Sequence, residues 1–209
     1  MRDSCGGRAH ALKNAFCVLV LAAAVFCVQA QTTAASHAQF TRKLVAAAIE
    51  RTHHSVRYVG DYVRITYPGG DVPADTGVCT DEVIRTYRAV GVDLQKEVHE
   101  DMVRNFDLYP HKWQRHPDTN IDHRRVPNLM VFFARKGTSL AITRAAGDYS
   151  PGDIVAWDLG DGITHIGVVI DRKGSSGSYM VVHNIGRGPQ MEDVLFDWKI
   201  IGHYRYYGP

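Results

Sequence analysis

Beyond its first thirty residues this chain has almost no cysteine. Three of its four cysteines lie within residues 1–30, and only Cys79 follows them. A single cysteine has no partner for an intramolecular disulfide, so residues 31–209 cannot be stabilised by a disulfide framework. Cys79 is therefore a candidate for chemistry rather than for cross-linking.

The chain also lacks an excess of charge of either sign. It has 24 Lys and Arg against 22 Asp and Glu, and removing the three basic and one acidic residues of positions 1–30 leaves 21 of each. This balance gives no electrostatic reason to expect nucleic acid as a partner. No internal repeat or low-complexity segment is present.

Long apolar runs are missing as well. The stretch of residues 15–28 is shorter than the roughly 20 residues of a transmembrane helix. Basic residues precede it and Val28-Gln29-Ala30 follows it, which predicts that residues 1–30 are a secretory signal peptide cleaved after Ala30. We expect a periplasmic or secreted protein without stable membrane insertion after cleavage; an uncleaved anchor is the weaker alternative.

The remaining residues predict one α+β domain. Residues 31–36 are small and polar and indicate a flexible lead-in to a single domain over 37–209. Helical periodicity dominates up to Gly137, with residues 62–65 as an early strand. The later extended segments, 153–157, 163–170, 179–185 and 200–206, predict an antiparallel meander on which the helices pack.

Cys79 begins a predicted helix, and two histidines lie on predicted strands. A helix N-terminus favours a thiolate, so we expect a lowered thiol pKa. His165 lies at the start of one predicted strand and His183 lies on the next, and both are near the open end of the hairpin, which can bring them together. A thiol, an imidazole base and an orienting group form the layout of a cysteine hydrolase. Asn184 competes as the orienting residue, and strand alternation lets only one of the two point at His165; we favour His183.

Several motifs carry a family resemblance. The segments Gly77-Val78-Cys79-Thr80-Asp81, Pro151-Gly152-Asp153 and His165-Ile166-Gly167 resemble the NlpC/P60 superfamily of papain-like cell-wall peptidases and amidases. More narrowly, the chain resembles the exported DUF1287 family over nearly all residues after the signal. That match rests on residues 67–73, 122–129, 183–186 and 202–206.

The resemblance implies a papain-like fold with Cys79 as nucleophile, His165 as base and His183 as orienting residue. It also implies an amide bond in peptidoglycan stem peptides as the substrate, with no cofactor, and we expect a monomer. Val78-Cys79-Thr80-Asp81 departs from the commoner Asp-Cys-Ser-Gly, which leaves the substrate less defined than the chemistry. Acyl transfer at the same site and a non-catalytic cell-wall binding module are the alternatives.

Further candidates for substrate binding are polar or aromatic. The loop residues Asp122, His123, Arg124 and Arg125 form either an ion-pair network or a substrate wall, because Arg binds carboxylates bidentately. Tyr62 and Tyr67 can line a cleft or hold an oxyanion, although strand tyrosines more often serve packing. Asn184 can contact substrate or bond the backbone near Gly186.

No metal site is predicted. The histidines at positions 111, 116 and 123 lack the spacing of a zinc site. The segment that starts at Asp118 resembles a calcium loop but has His123 and Leu129 where glycine and glutamate are required.

Overall fold

The structure, a computed structural model, describes residues 33–112 and 114–209. The predicted signal peptide and the start of the predicted lead-in therefore lie outside the described residues. Residues 33–36, the rest of that lead-in, are helical. The chain divides between residues 39 and 40, and the fold set out below is that of residues 40–209.

The described residues contain four α-helices and eight strands. The helices are α1 (33–51, of which 40–51 belong to this unit), α2 (Cys79–Ala89), α3 (Leu94–Asn105) and α4 (Val126–Lys136). The strands are β1 (Arg57–Tyr58), β2 (Thr76–Gly77), β3 (Thr138–Ser139), β4 (Ile154–Asp158), β5 (Thr164–Lys173), β6 (Tyr179–His183), β7 (Gln190–Glu192) and β8 (Lys199–Arg205). Among the described residues, no helix has the length and apolar character needed to cross a membrane.

The main sheet has six strands in the order β3-β8-β4-β5-β6-β7, and every neighbouring pair is antiparallel. Strands β4, β5 and β6 form a meander as predicted, and β7, which the sequence did not predict, extends it. The predicted α+β class with helices packed on an antiparallel sheet is confirmed. The last strand, β8, returns to pair with β4 instead of extending the meander.

One predicted strand is wrong. Residues 62–65 are not a strand, and the backbone N–H of Ile65 binds the side chain of Asn120 at 2.9 Å. The segment has the alternating sequence of a strand, but in the described structure the Asn120 side chain accepts the backbone N–H that a neighbouring strand would otherwise accept.

Two hydrophobic clusters cover the two faces of the sheet. On β4, Ile154 and Ala156 join the larger cluster with the helices, whereas Val155 and Trp157 join the smaller cluster on the opposite face. This alternation follows from the period of two in a strand. Because both faces are covered, β4 is buried along nearly its whole length.

A pair of matched leucine truncations tests where the core lies. Leu129 on α4 is fully buried, whereas Leu108 is 57% exposed. We expect Leu129→Ala to lower the free energy of unfolding by about 2–5 kcal/mol, because it leaves a cavity. Leu108→Ala should change it by about 0.5 kcal/mol or less. Urea denaturation followed by circular dichroism measures both, and equal effects would contradict this placement of the core.

Candidate active site

Cys79 is the first residue of α2, and Asp81 holds the turn in which it lies. The Asp81 carboxylate accepts the backbone N–H of Val78 at 2.7 Å. It also binds the guanidinium of Arg124 through two hydrogen bonds of 2.8 and 3.0 Å. A carboxylate in the first turn stabilises a helix N-terminus, and here it also fixes the position of Cys79.

The Cys79 thiol is buried. The nearby backbones of Ile166 and Thr80 and the hydroxyl of Tyr58 each act to lower its pKa. Burial nevertheless raises the pKa of the thiol to about 11, and the nearby Asp81 charge acts in the same direction. The expected lowering of this pKa is therefore not found, because burial outweighs the groups that act to lower it.

His165 and His183 form a direct pair. His165 lies on β5 and His183 ends β6, and Nε2 of His165 is 2.8 Å from Nδ1 of His183. Gly167 makes this approach possible, because a Cβ there would lie 2.7 Å from Val181 and 3.1 Å from the Cβ of His183. The glycine of the His-x-Gly motif thus lets β6 pass close to β5.

Glu192 on β7 extends the pair into a chain of three residues. Nε2 of His183 is 2.9 Å from a carboxylate oxygen of Glu192. An ionised carboxylate only accepts, so His183 donates from Nε2 and its Nδ1 accepts the N–H of His165. In that arrangement Nδ1 of His165 carries the lone pair, which is the state of a general base.

Both histidines lie in surroundings that favour the neutral ring. Burial lowers the pKa of His165 to about 3, and the neighbouring His183 adds to the shift. Burial also lowers the pKa of His183, although the Glu192 carboxylate opposes this. Together with the raised thiol pKa, these shifts favour a neutral thiol at Cys79 and a neutral imidazole at His165 at pH 7.

Cys79 and the ring of His165 lie on opposite faces of β5. The ring of His165 stacks on Trp157, on the face opposite the helices, with ring centroids 5.8 Å apart. Cys79 packs with Ile166 in the larger hydrophobic cluster, on the helical face of the sheet. Within the described residues no hydrogen bond joins Cys79 to His165, so direct proton transfer between them requires a rearrangement of the site.

Of the two roles considered for Asn184, substrate contact and a bond to the backbone near Gly186, the structure shows the second. It is fully buried, and its side-chain oxygen accepts the backbone N–H of Gly186 at 3.1 Å. The structure therefore brings His183, and not Asn184, to His165.

Most of the 122–125 loop is bound within the protein. Asp122 is fully buried and accepts hydrogen bonds from the backbone of Asp118 at 2.9 Å and from Gln114 at 2.6 Å. The guanidinium of Arg124 is held by Asp81 and by the backbone oxygen of Asp61. Because these groups already have partners, the geometry favours the ion-pair network over the substrate wall for Asp122 and Arg124.

The other two loop residues are less exposed than a substrate wall would be. His123 is buried, and burial followed by the charge of Arg124 lowers its pKa to about 3. Arg125 is half-buried, and burial lowers its pKa.

The predicted tyrosines lie apart from the thiol. Tyr62 is 54% exposed, and its hydroxyl donates to Asp118 at 2.9 Å. Tyr67 is 39% exposed and packs edge-on against His99. It is Tyr58 that lies close enough to Cys79 for each side chain to shift the pKa of the other.

Sequence reasoning missed three residues of this site, namely Tyr58, Glu192 and Trp198. Trp198 packs against His165 and His183 at centroid distances of 6.0 and 6.1 Å. It also lines a cavity of about 610 Å³ together with Arg144, Phe196 and Lys199. The Tyr58 signal was present, as an aromatic residue ahead of the cysteine, but the neighbouring tyrosines masked it.

Metal binding has no candidate in the described part of the chain. No three His, Cys, Asp or Glu side chains there are grouped so that they could hold a metal ion.

Comparison with known proteins gives a family and a relative. Residues 45–206 match the family described as "Domain of unknown function (DUF1287)". The uncharacterized protein YijF of Escherichia coli (strain K12) is 56% identical over 147 residues, which are 70% of this chain and 72% of that protein.

Two solved structures from Trichomonas vaginalis are also similar. NlpC2 has a TM-score of 0.42 and 16% identity, and the match covers 78% of this chain and 47% of NlpC2. NlpC1 has a TM-score of 0.39 and 14% identity, and the match covers 77% of this chain and 42% of NlpC1. The chain thus spans less than half the length of these two proteins.

The raised thiol pKa predicts a characteristic alkylation profile. Only the thiolate reacts with iodoacetamide, and a pKa of about 11 leaves about one thiolate in ten thousand at pH 7. We expect the rate at Cys79, followed by mass spectrometry of its peptide, to rise about tenfold per pH unit between pH 7 and 10. N-acetylcysteine, the control, should level off near its ordinary pKa. A plateau of Cys79 reactivity below pH 6 would instead reveal a preformed thiolate–imidazolium pair.

Replacing Arg124 separates the two interpretations of the 122–125 loop. Arg124→Met leaves the buried Asp81 carboxylate without its partner, so we expect a loss of about 3–5 kcal/mol in the free energy of unfolding. Asp81→Asn in the same chain should recover part of that loss. Denaturant titration of the single and double variants measures the coupling. Unchanged stability of Arg124→Met would return Arg124 to the role of a substrate ligand.

Proposed function

The chain belongs to the DUF1287 family, and on that premise we propose that it is a cysteine hydrolase that cleaves an amide bond in peptidoglycan stem peptides. The observation that carries the proposal is the hydrogen-bonded series from Glu192 through His183 to His165, together with a buried cysteine at a helix N-terminus that packs with Ile166, the residue after His165. The cell-wall substrate rests on the sequence resemblance to NlpC/P60 peptidases, and the periplasmic or secreted location rests on residues 1–30.

In the proposed reaction His165 acts first as base and then as acid. Its Nδ1 takes the thiol proton of Cys79, and the thiolate attacks the substrate carbonyl. The transfer places opposite charges side by side, and each lowers the free energy of the other. His165 then protonates the leaving amine, which leaves a thioester, and finally activates the water that hydrolyses it.

Two donors can stabilise the oxyanion of the tetrahedral intermediate. Amides of a first helical turn have no partner within the helix, and that of Cys79 can therefore donate to a substrate carbonyl oxygen. The Tyr58 hydroxyl lies near Cys79 and can donate to the same oxygen. The cavity beside Trp198 offers space for the rest of the peptide.

One observation favours a second candidate, a non-catalytic module that binds the cell wall. The thiol is buried, its pKa is raised to about 11, and in the described structure it has no hydrogen bond to His165. A thiol in this state reacts slowly unless a substrate alters its surroundings. Against this candidate, Arg124 is already held by Asp81 and cannot also hold a glycopeptide carboxylate.

Digestion of purified sacculi separates the two candidates. We expect the protein to release soluble fragments with a newly formed amino or carboxyl end, identified by mass spectrometry. Cys79→Ala should release none, because no thioester can form. Circular dichroism of both proteins shows whether the variant is folded.

Two outcomes would contradict the hydrolase. Equal release by the wild type and a folded Cys79→Ala protein would overturn the mechanism. Retention of the wild type on sacculi without release of any fragment would favour the binding module.

A further inference from the structure

We infer that Glu192 is a positioning residue that decides which nitrogen of each histidine carries its proton, and so makes Nδ1 of His165 the base. This inference rests on the proposed function for its catalytic consequence. Its physical content, the placement of two protons, does not depend on any substrate.

Strand pairing brings Glu192 to the histidines. In the β6–β7 ladder Gln190 lies opposite His183, and Glu192 lies opposite Val181, two residues farther along the same face. The Glu192 side chain reaches diagonally across the ladder to Nε2 of His183 at 2.9 Å. Its other oxygen is 3.5 Å from the exposed guanidinium of Arg187, and 29% of its side chain is exposed.

The Glu192 carboxylate sets the direction of the hydrogen bonds that link it to His183 and His165. Two imidazoles that share one hydrogen bond can exchange donor and acceptor roles, so the pair alone allows either direction. A carboxylate can only accept, and its contact with Nε2 of His183 selects the direction in which every N–H points toward Glu192. The opposite direction would put a proton on Nδ1 of His165 and leave it unable to take one from the thiol.

A second His–carboxylate contact, that of His203 with Asp153, does not leave a ring nitrogen free to accept a proton. His203 binds Asp153 through Nε2 at 2.9 Å, but its Nδ1 faces the backbone oxygen of Ala141 at 2.9 Å. Both nitrogens of His203 therefore face acceptors, and neither offers a lone pair to a reacting group. Within the described residues, the Glu192 chain leaves the outermost nitrogen, Nδ1 of His165, without a hydrogen-bond partner.

Nuclear magnetic resonance of ¹⁵N-histidine-labelled protein tests the inference directly. In the wild type we expect protonated Nε2 and unprotonated Nδ1 in both His165 and His183. Glu192→Gln offers a donor as well as an acceptor in the same shape, so we expect it to populate the reversed tautomers. Asp193→Asn is the matched control, because Asp193 loses the same charge but bonds only Ser175 and Ser176. Its spectrum should match the wild type.

A rescue experiment separates positioning from a general structural role. Glu192→Ala leaves a partly open space, and added formate can restore the acceptor. Formate should restore the wild-type tautomers in this variant. We expect the variant to have a lower kcat for amide cleavage with KM nearly unchanged, and formate should restore kcat. The loss can reach the roughly 10²–10⁴-fold that general acid–base catalysis supplies.

The outcomes distinguish failure of the inference from failure of the proposed function. Wild-type tautomers in both Glu192→Gln and Glu192→Ala would overturn the inference, whatever the activity. The expected tautomer change in a protein that cleaves no sacculi would overturn the proposed hydrolase and leave the role of Glu192 in proton placement intact.

Discussion

The position of the candidate nucleophile depends on one buried ion pair. Asp81 lies in the first turn of α2, and its carboxylate binds both Arg124 and the backbone N–H of Val78. A reverse contact exists as well, since the Thr80 hydroxyl donates to the backbone oxygen of Arg124 at 3.1 Å. Burying two charges is costly unless each is fully bonded, and here each has several partners. The pair therefore joins a distant loop to the helix start.

The two faces of the sheet hold different parts of the candidate site. Residues of β5 alternate, so Ile166 packs with the helices whereas His165 joins the tryptophans on the other face. This separation gives the histidines a buried aromatic environment that favours neutral rings. It also places the thiol on the helical face with Ile166, the residue that follows His165 in β5. The same alternation excludes Asn184 from the pair and commits it to the Gly186 backbone.

How much of this could be predicted depends on the range of each interaction. The approach of His165 to His183 follows from alternation and a short hairpin, both of which are local. The partner of Arg124 lies 43 positions away in the chain, and the β7 strand that carries Glu192 is only three residues long, so neither leaves a pattern in the sequence. The thiol pKa was misjudged for a related reason. The effect of the helix terminus is local, whereas burial depends on how the whole sheet packs over Cys79.

The buried thiol and the orienting chain are two parts of one arrangement. Oxidation of cysteine proceeds through an exposed thiolate, and beyond sulfenic acid it is largely irreversible. A neutral thiol that is 4% exposed resists this reaction, which matters for a protein proposed to work outside the cytoplasm. The same burial leaves almost no thiolate for attack, so the nucleophile must be generated at the moment of reaction. A base with a free lone pair meets that requirement, and the hydrogen bonds from His165 through His183 to Glu192 leave one on Nδ1 of His165.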